Sequence, residues 1–218
     1  MTKPNHWHCS HLYGLFPGST ITLRATPKLA TAACKSLELR GDGSTGWSRA
    51  WRICLWASLC GGDHAHQILA GLISQRTLPS MLNLGPPFQI DGNFGGAAGI
   101  AEMLLQSHDG EIHLWPALPA VWPKGSVNGL SARGGFEVGI TWRNGRLTSL
   151  TVFSKLGNPC RLHYGKRKIF LKTRARVSYR FNGKLERSSA RFIKPEDDRF
   201  VGKNTSSFID IPLNEAQT

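Results

Sequence analysis

The sequence predicts an α + β protein in two parts, helical through its first half and β-stranded through its second. Three observations carry that prediction. Apolar residues before residue 110 recur at the spacing of helix faces, whereas those after it alternate. The hairpin dipeptide Asn-Gly occurs twice, at Asn144-Gly145 and Asn182-Gly183, both in the second half. Charge shifts at the same place: residues 1–110 hold 8 basic and 6 acidic residues, residues 111–218 hold 19 and 8.

The elements follow in order. Thr26-Pro27 starts a helix, because Thr caps and Pro suits the first helical position. Leu29, Ala33, Leu37 and Leu39 continue it, and Gly41 stops it. A second helix spans Trp47 to Leu59 and is apolar around much of its circumference, as buried helices are. Asp63 is placed to cap a third, with Ile68, Leu69, Leu72 and Ile73 on its apolar face. A fourth is expected from about Gly96 to Gln106. Pro86 and Pro87 break any helix before it, which puts Asp91 on a loop leading into a helix amino terminus. Beyond residue 110, Glu111–Trp115 and Phe136–Trp142 alternate as strands do, and Arg143-Asn144-Gly145-Arg146 turns the chain into Leu147–Phe153. Asn182-Gly183 closes the run Val177–Phe181. The reading is a helical part over 1–110, an antiparallel β-domain over 111–185 and an irregular charged tail over 186–218.

Composition excludes several classes. Seven Trp in 218 residues do not fit a disordered chain. No apolar run approaches the roughly 20 residues of a membrane span, and Met1–His6 lacks the apolar stretch of a signal peptide. The five cysteines are odd in number and form no Cys-x-x-Cys, so they read as scattered buried thiols.

Four segments are candidates for chemistry. Asp91 lies beside Gly92, and Gly95-Gly96 follow closely; glycine lets backbone and carboxylate approach a ligand. Asn93 is placed to orient a water or a sugar hydroxyl. The competing reading, that Asp91 caps the helix after it, is the one that spacing alone favours. His6-Trp7-His8-Cys9-Ser10-His11 has neither the i, i+4 histidines of zincins nor a cysteine pair, so no metal is expected. Its histidines read as hydrogen-bonding groups of a polar pocket, or as an ordinary loop cluster. Arg40–Ser48 is glycine-rich but lacks the Gly-Lys-Ser/Thr of a phosphate loop, so no nucleotide cofactor is expected. Its Trp47 offers a ring for stacking on a sugar, or a core side chain. Lys172, Arg174, Arg176 and Arg180 fall on one face if their segment is a strand, giving a basic stripe or a solvated sheet face.

In this order, these segments resemble the closing part of glycoside hydrolase family 95, the α-L-fucosidases. The matching stretches are Ser10–Gly18, Lys35–Asp42, Thr45–Trp51, Pro86–Gly96, Gly99–Ser107 and Gly134–Val138. The resemblance implies the carboxy-terminal portion of an (α/α)6 barrel followed by an antiparallel β-sandwich-like domain. It implies inverting removal of terminal α-L-fucose, with α-1,2 linkages preferred, from oligosaccharides or glycans, without cofactor or metal. Inversion uses one carboxylic acid to protonate the leaving oxygen and a base that activates water on the opposite face. Asp91 matches the aspartate that helps activate the water, and His8 and His6 match histidines lining the fucose site. Trp47 and Asn93 fall in matched segments.

The sequence also departs from the family pattern. Trp7 stands where the family carries an arginine between the two histidines, and Leu84-Gly85 stands where it carries a histidine before the prolines. The family's general acid and asparagine pair lie upstream of any segment matched here. Glu38, Glu102 and Glu111 fall where the family does not place the acid. The expectation is therefore an enzyme fragment that is poorly stable and inactive alone, its partner being the amino-terminal portion of a parent enzyme. The alternatives are a carbohydrate-binding remnant, or a basic module binding acidic glycan or nucleic acid. The basic stripe lacks the interleaved aromatics of nucleic-acid binding, so no nucleic acid is expected.

Overall fold

A computed structural model gives the fold and describes residues 5–84 and 87–194. The amino-terminal Met1–Pro4, the Gly85-Pro86 step and the tail from residue 195 lie outside the described residues. The chain forms two compact units, residues 1–109 with 115–119, and residues 110–114 with 120–218.

The first unit is helical. A short 3₁₀ turn at Ser10–Leu12 precedes α1 (Pro27–Arg40), α2 (Gly46–Ser58), α3 (Gly62–Arg76) and α4 (Asp91–Leu104), and β1 (Leu105–Gln106) follows. Helix α1 begins and ends where its signals lie: Pro27 opens it, and Gly41, at φ 64°, turns the chain while its N–H bonds the Leu37 and Glu38 carbonyls. Its buried stripe is Ala30, Ala33 and Leu37. Leu29 and Leu39, expected on the inner face, flank that stripe and are exposed. Helix α2 is buried at ten of its thirteen positions, as its all-round apolar sequence predicts.

Two helix starts differ from expectation. Asp63 does not cap α3: the cap is Gly61, and Asp63 lies in the first turn. Glycine is required just there, because a Cβ at Gly61 would press on the Trp56 ring and one at Gly62 on the Ala117 carbonyl. Helix α4 starts at Asp91, five residues before the expected start, and takes in the whole Gly92–Gly99 stretch. Packing overrides propensity here. A Cβ at Gly95 would stand 2.8 Å from Ala50 Cβ, and one at Gly99 would overlap Ile53. Residue numbers rise together along both helices, so α2 and α4 run parallel at a closeness only glycine allows.

The second unit is β-stranded. Strands β2 (Ile112–Leu114), β3 (Lys124–Ala132), β4 (Phe136–Arg143), β5 (Arg146–Ser154), β6 (Cys160–Tyr164), β7 (Arg167–Leu171), β8 (Val177–Asn182) and β9 (Arg187–Phe192) follow in sequence. Five of them form an antiparallel sheet in the order β3-β4-β5-β8-β9. In the other sheet β7 pairs β6 antiparallel, but β2 pairs β6 in parallel, so the domain is not antiparallel throughout. The Asn144-Gly145 hairpin forms with both residues at positive φ, 53° and 62°. Alternation holds along β4, where Phe136, Val138, Ile140 and Trp142 point into the core. The Trp142 indole N–H donates to the Trp122 carbonyl at 2.9 Å, which satisfies its one polar atom. Strand β9 forms inside the segment read as an irregular tail. Lys172, Arg174 and Arg176 lie in the connection between β7 and β8, so they share no strand face with Arg180; Arg176 has φ 60°.

Candidate active site

Three of the candidate residues gather at one place. The His6 and His8 rings stack with centroids 5.3 Å apart and 28° between planes. The His8 ring meets the Trp47 indole at 5.0 Å and 56°. The His8 backbone N–H donates to His6 Nδ1 at 3.1 Å, so that ring nitrogen acts as acceptor. Trp7, where the resemblance leads one to expect arginine, sits edge-on to His6 and is exposed.

The backbone under these rings is pinned from two helices. Arg40 of α1 donates to the His6 carbonyl at 2.9 Å, and Arg52 of α2 donates to the same oxygen at 3.4 Å and to the Gly43 carbonyl at 3.3 Å. Ser48 Oγ donates to the Trp7 carbonyl at 2.5 Å. Arg52 is 0% exposed. Its only sequence signal is a charge among the apolar residues of α2, which also carries Arg49.

Asp91 and Trp47 are tied to a common element that sequence reading missed. The Asn83 side chain lies against Gly46 at the start of α2 and against Gly92 at the start of α4. Trp47 follows the first glycine and Asp91 precedes the second. Asn83 is 4% exposed, and its Nδ2 donates to the Arg76 carbonyl at 2.7 Å. A β-carbon at Gly92 would stand 2.5 Å from Asn83 Cγ. Both helix amino ends therefore converge on one asparagine, which nothing in Met81-Leu82-Asn83-Leu84 announces.

Asn93 has a mixed position. Its Oδ1 accepts the Asn83 backbone N–H at 3.0 Å, and its Nδ2 donates to the Met81 carbonyl at 2.6 Å. One lone pair and one N–H of the amide remain for a ligand. Asp91 is different. The residue capping α4 is Ile90, with no side-chain cap bond, and the Asp91 side chain is exposed with no hydrogen-bond or ion-pair partner among the described residues.

The structure adds one constellation that the motifs did not flag. Both Asp42 carboxylate oxygens lie within 3.0 Å of His64 Nε2, and the His64 ring stacks on Trp56 at 4.1 Å and 13°. This pair ties the loop before α2 to α3. Burial, with the Glu102 carboxylate adding to it, pushes the Cys54 thiol up to about 12, and burial pushes Cys160 up to about 12, whereas Cys34 is half-buried and Cys60 exposed. Among the described residues no group of three His, Cys, Asp or Glu is arranged to hold a metal ion.

Two family profiles match the chain, the glycosyl hydrolase family 95 catalytic domain over residues 1–104 and the family 95 C-terminal domain over residues 106–198. The chain thus carries a helical part matched to the catalytic domain and a β-stranded part matched to the C-terminal domain. It belongs to glycoside hydrolase family 95. It is 44% identical to "Alpha-L-fucosidase 2" of Arabidopsis thaliana over 163 residues, which cover 69% of this chain and 19% of that protein. It is 36% identical to "Probable alpha-fucosidase A" of Aspergillus niger over 159 residues, covering 64% of this chain and 20% of the relative. The chain thus spans about a fifth of the length of these relatives. No helix among the described residues is long and apolar enough to cross a membrane.

Proposed function

We propose that this chain supplies the base-side carboxylate and one wall of the sugar site of an α-L-fucosidase acting by inversion, with α-1,2-linked fucose preferred. Asp91 is the residue that orients and activates the water. Its exposed carboxylate, without a partner among the described residues and at the tightly packed start of α4, is the observation that supports this reading most. His8 and Trp47, with His6 behind them, form the wall: the indole offers an apolar face to the sugar C–H groups and the imidazoles offer hydrogen bonds to hydroxyls. Asn93 braces the 81–83 turn and keeps one N–H and one lone pair toward the ligand.

Inverting hydrolysis needs a second carboxyl group across the scissile bond. Two of the three matched glutamates are engaged in ion pairs. Glu38 pairs with Lys35 at 3.2 Å, and Glu111 pairs with Lys168 at 3.0 Å. In this reading the acid comes from a polypeptide corresponding to the part of the relatives that this chain does not match. The chain alone is expected to release no L-fucose from 2′-fucosyllactose. Co-expression with the upstream portion of the plant relative is expected to give release, and Asp91→Asn in that mixture is expected to abolish it. Release by the purified chain alone, or an unaffected Asp91→Asn mixture, would sink the reading.

A further inference from the structure

The second unit gathers positive charge at one end in a way its sequence does not show. Hydrogen bonds bring three turns together there. The Gly145 N–H of the β4–β5 turn donates to the Pro123 carbonyl at 2.8 Å, and Lys124 is in register with Arg143. The Leu147 N–H donates to the Tyr164 hydroxyl at 3.1 Å, which brings in the β6–β7 turn. Arg167 donates to the Lys184 carbonyl at 2.6 Å, which brings in the β8–β9 turn. A Cβ on Gly183 would overlap the Leu147 carbonyl, so that turn also abuts the first one.

These turns carry seven exposed cations, Lys124, Arg143, Arg146, Lys166, Arg167, Lys184 and Arg187. Glu186 is the one acid among them, and its carboxylate accepts from the Asn182 amide at 2.8 Å. The imbalance is general: residues 110–194 hold 17 basic and 3 acidic residues. Of the other two acids, Glu137 pairs with Lys155, and Glu111 pairs with Lys168 and His163, one residue pair inward from the β6–β7 turn. A merely solvated sheet face would mix the two signs. A single-sign cluster concentrates counter-anions and speeds the approach of an anionic partner.

We propose that this tip docks the protein onto an acidic polysaccharide, with uronate carboxylates as the anions. Naming a glycan rests on the family reading above, whereas binding to a polyanion rests only on the tip. The tip offers little to a nucleic acid. Its three turns contain one ring, Tyr164, whose hydroxyl is engaged by Leu147, and base stacking needs free aromatic faces.

The test measures binding of the purified full chain to polygalacturonate between about 0.05 and 0.2 M salt. The triple variant Arg143→Gln, Lys166→Gln, Lys184→Gln is compared with Lys172→Gln, Arg174→Gln, Arg180→Gln, which removes the same charge away from these turns. The tip triple is expected to weaken binding at least about tenfold and to flatten the log–log salt dependence by about three units; the control triple is expected to change affinity less than about threefold. Equal losses would reduce the effect to net charge and overturn the proposal. Tighter retention on duplex DNA than on polygalacturonate at the same salt would overturn it too, as would no binding at low salt. Tryptophan quenching by L-fucose is read in parallel. Polygalacturonate binding without a fucose response upholds the tip and counts against the sugar wall.

Discussion

Asn83→Ala offers the sharpest separation of structure from chemistry in the first unit. The side chain is 4% exposed and fills the gap between the starts of α2 and α4. Removing it breaks the bond to the Arg76 carbonyl, which keeps the Leu84 N–H as a donor, so the loss is that of one hydrogen bond, about 0.5–1.5 kcal/mol. The space left by the amide, about 40 Å³, adds about 1 kcal/mol at the usual cost per volume of cavity. The expected loss is about 1.5–2.5 kcal/mol, read as a lower urea midpoint followed by tryptophan fluorescence, with Trp47 as a local reporter. Asp91→Asn is its counterpart. It keeps the shape of the residue, and the carboxylate it removes has no partner among the described residues, so stability should change by less than about 0.5 kcal/mol. A loss below about 0.5 kcal/mol for Asn83→Ala would refute its role as the element joining the two helix starts. An equal loss for Asp91→Asn would make Asp91 a structural residue.

Two further outcomes follow from local geometry. Gly99→Ala gains up to about 1 kcal/mol of helix propensity but forces a methyl into Ile53; overpacking costs about 1–3 kcal/mol, so net destabilisation is expected in thermal unfolding. Gly43→Ala, with open space around it, should be close to neutral, and a neutral Gly99→Ala would show that the α2–α4 contact is looser than described. Stability should also fall on acidification. Burial, aided by Arg40, lowers the pKa of His11, and burial, opposed by Asp63, lowers that of His66. Both imidazoles then take up protons more readily in the unfolded chain. Their contribution is complete above about pH 6.5 and is lost as pH falls toward their lowered folded values. The double variant His11→Gln, His66→Gln should flatten the dependence of the urea midpoint between about pH 7.5 and 5, modestly because both side chains are partly solvated. An unchanged slope would show that neither histidine is linked to folding.

Much of the helical unit was legible because its signals are local. Thr26-Pro27 and Gly41 bound α1 through backbone chemistry that needs no partner, and the apolar circumference of α2 follows from its own side chains. The start of α4 was not legible. Gly92 and Gly95 read as part of the loop before it, and only the parallel neighbour that the glycines allow to approach makes that stretch helical. The second unit divides the same way. Asn144-Gly145 gave its hairpin directly. The grouping of Lys124, Arg146, Lys166 and Lys184 depends on turns far apart in sequence, whereas the stripe that spacing did suggest, Lys172 to Arg176, is a connection.

The same distinction bears on Asp91, for which spacing alone left two readings open. A capping aspartate would precede the helix and bond its free N–H groups. In this chain the capping position belongs to Ile90, and Asp91 is already helical, with no side-chain cap bond at that end of α4. The neighbouring polar side chains are occupied: Asn83 with Arg76, Asn93 with the 81–83 backbone, and Arg40 and Arg52 with the His6 carbonyl. Burying the Arg52 guanidinium against carbonyls alone carries a desolvation cost, and what it secures is the position of the backbone under His6 and His8. Asn83, Asn93, Arg40 and Arg52 thus fix backbone, while the Asp91 carboxylate has no partner among the described residues. That division of labour is what a site needs when the carboxylate's partner is a water to be activated.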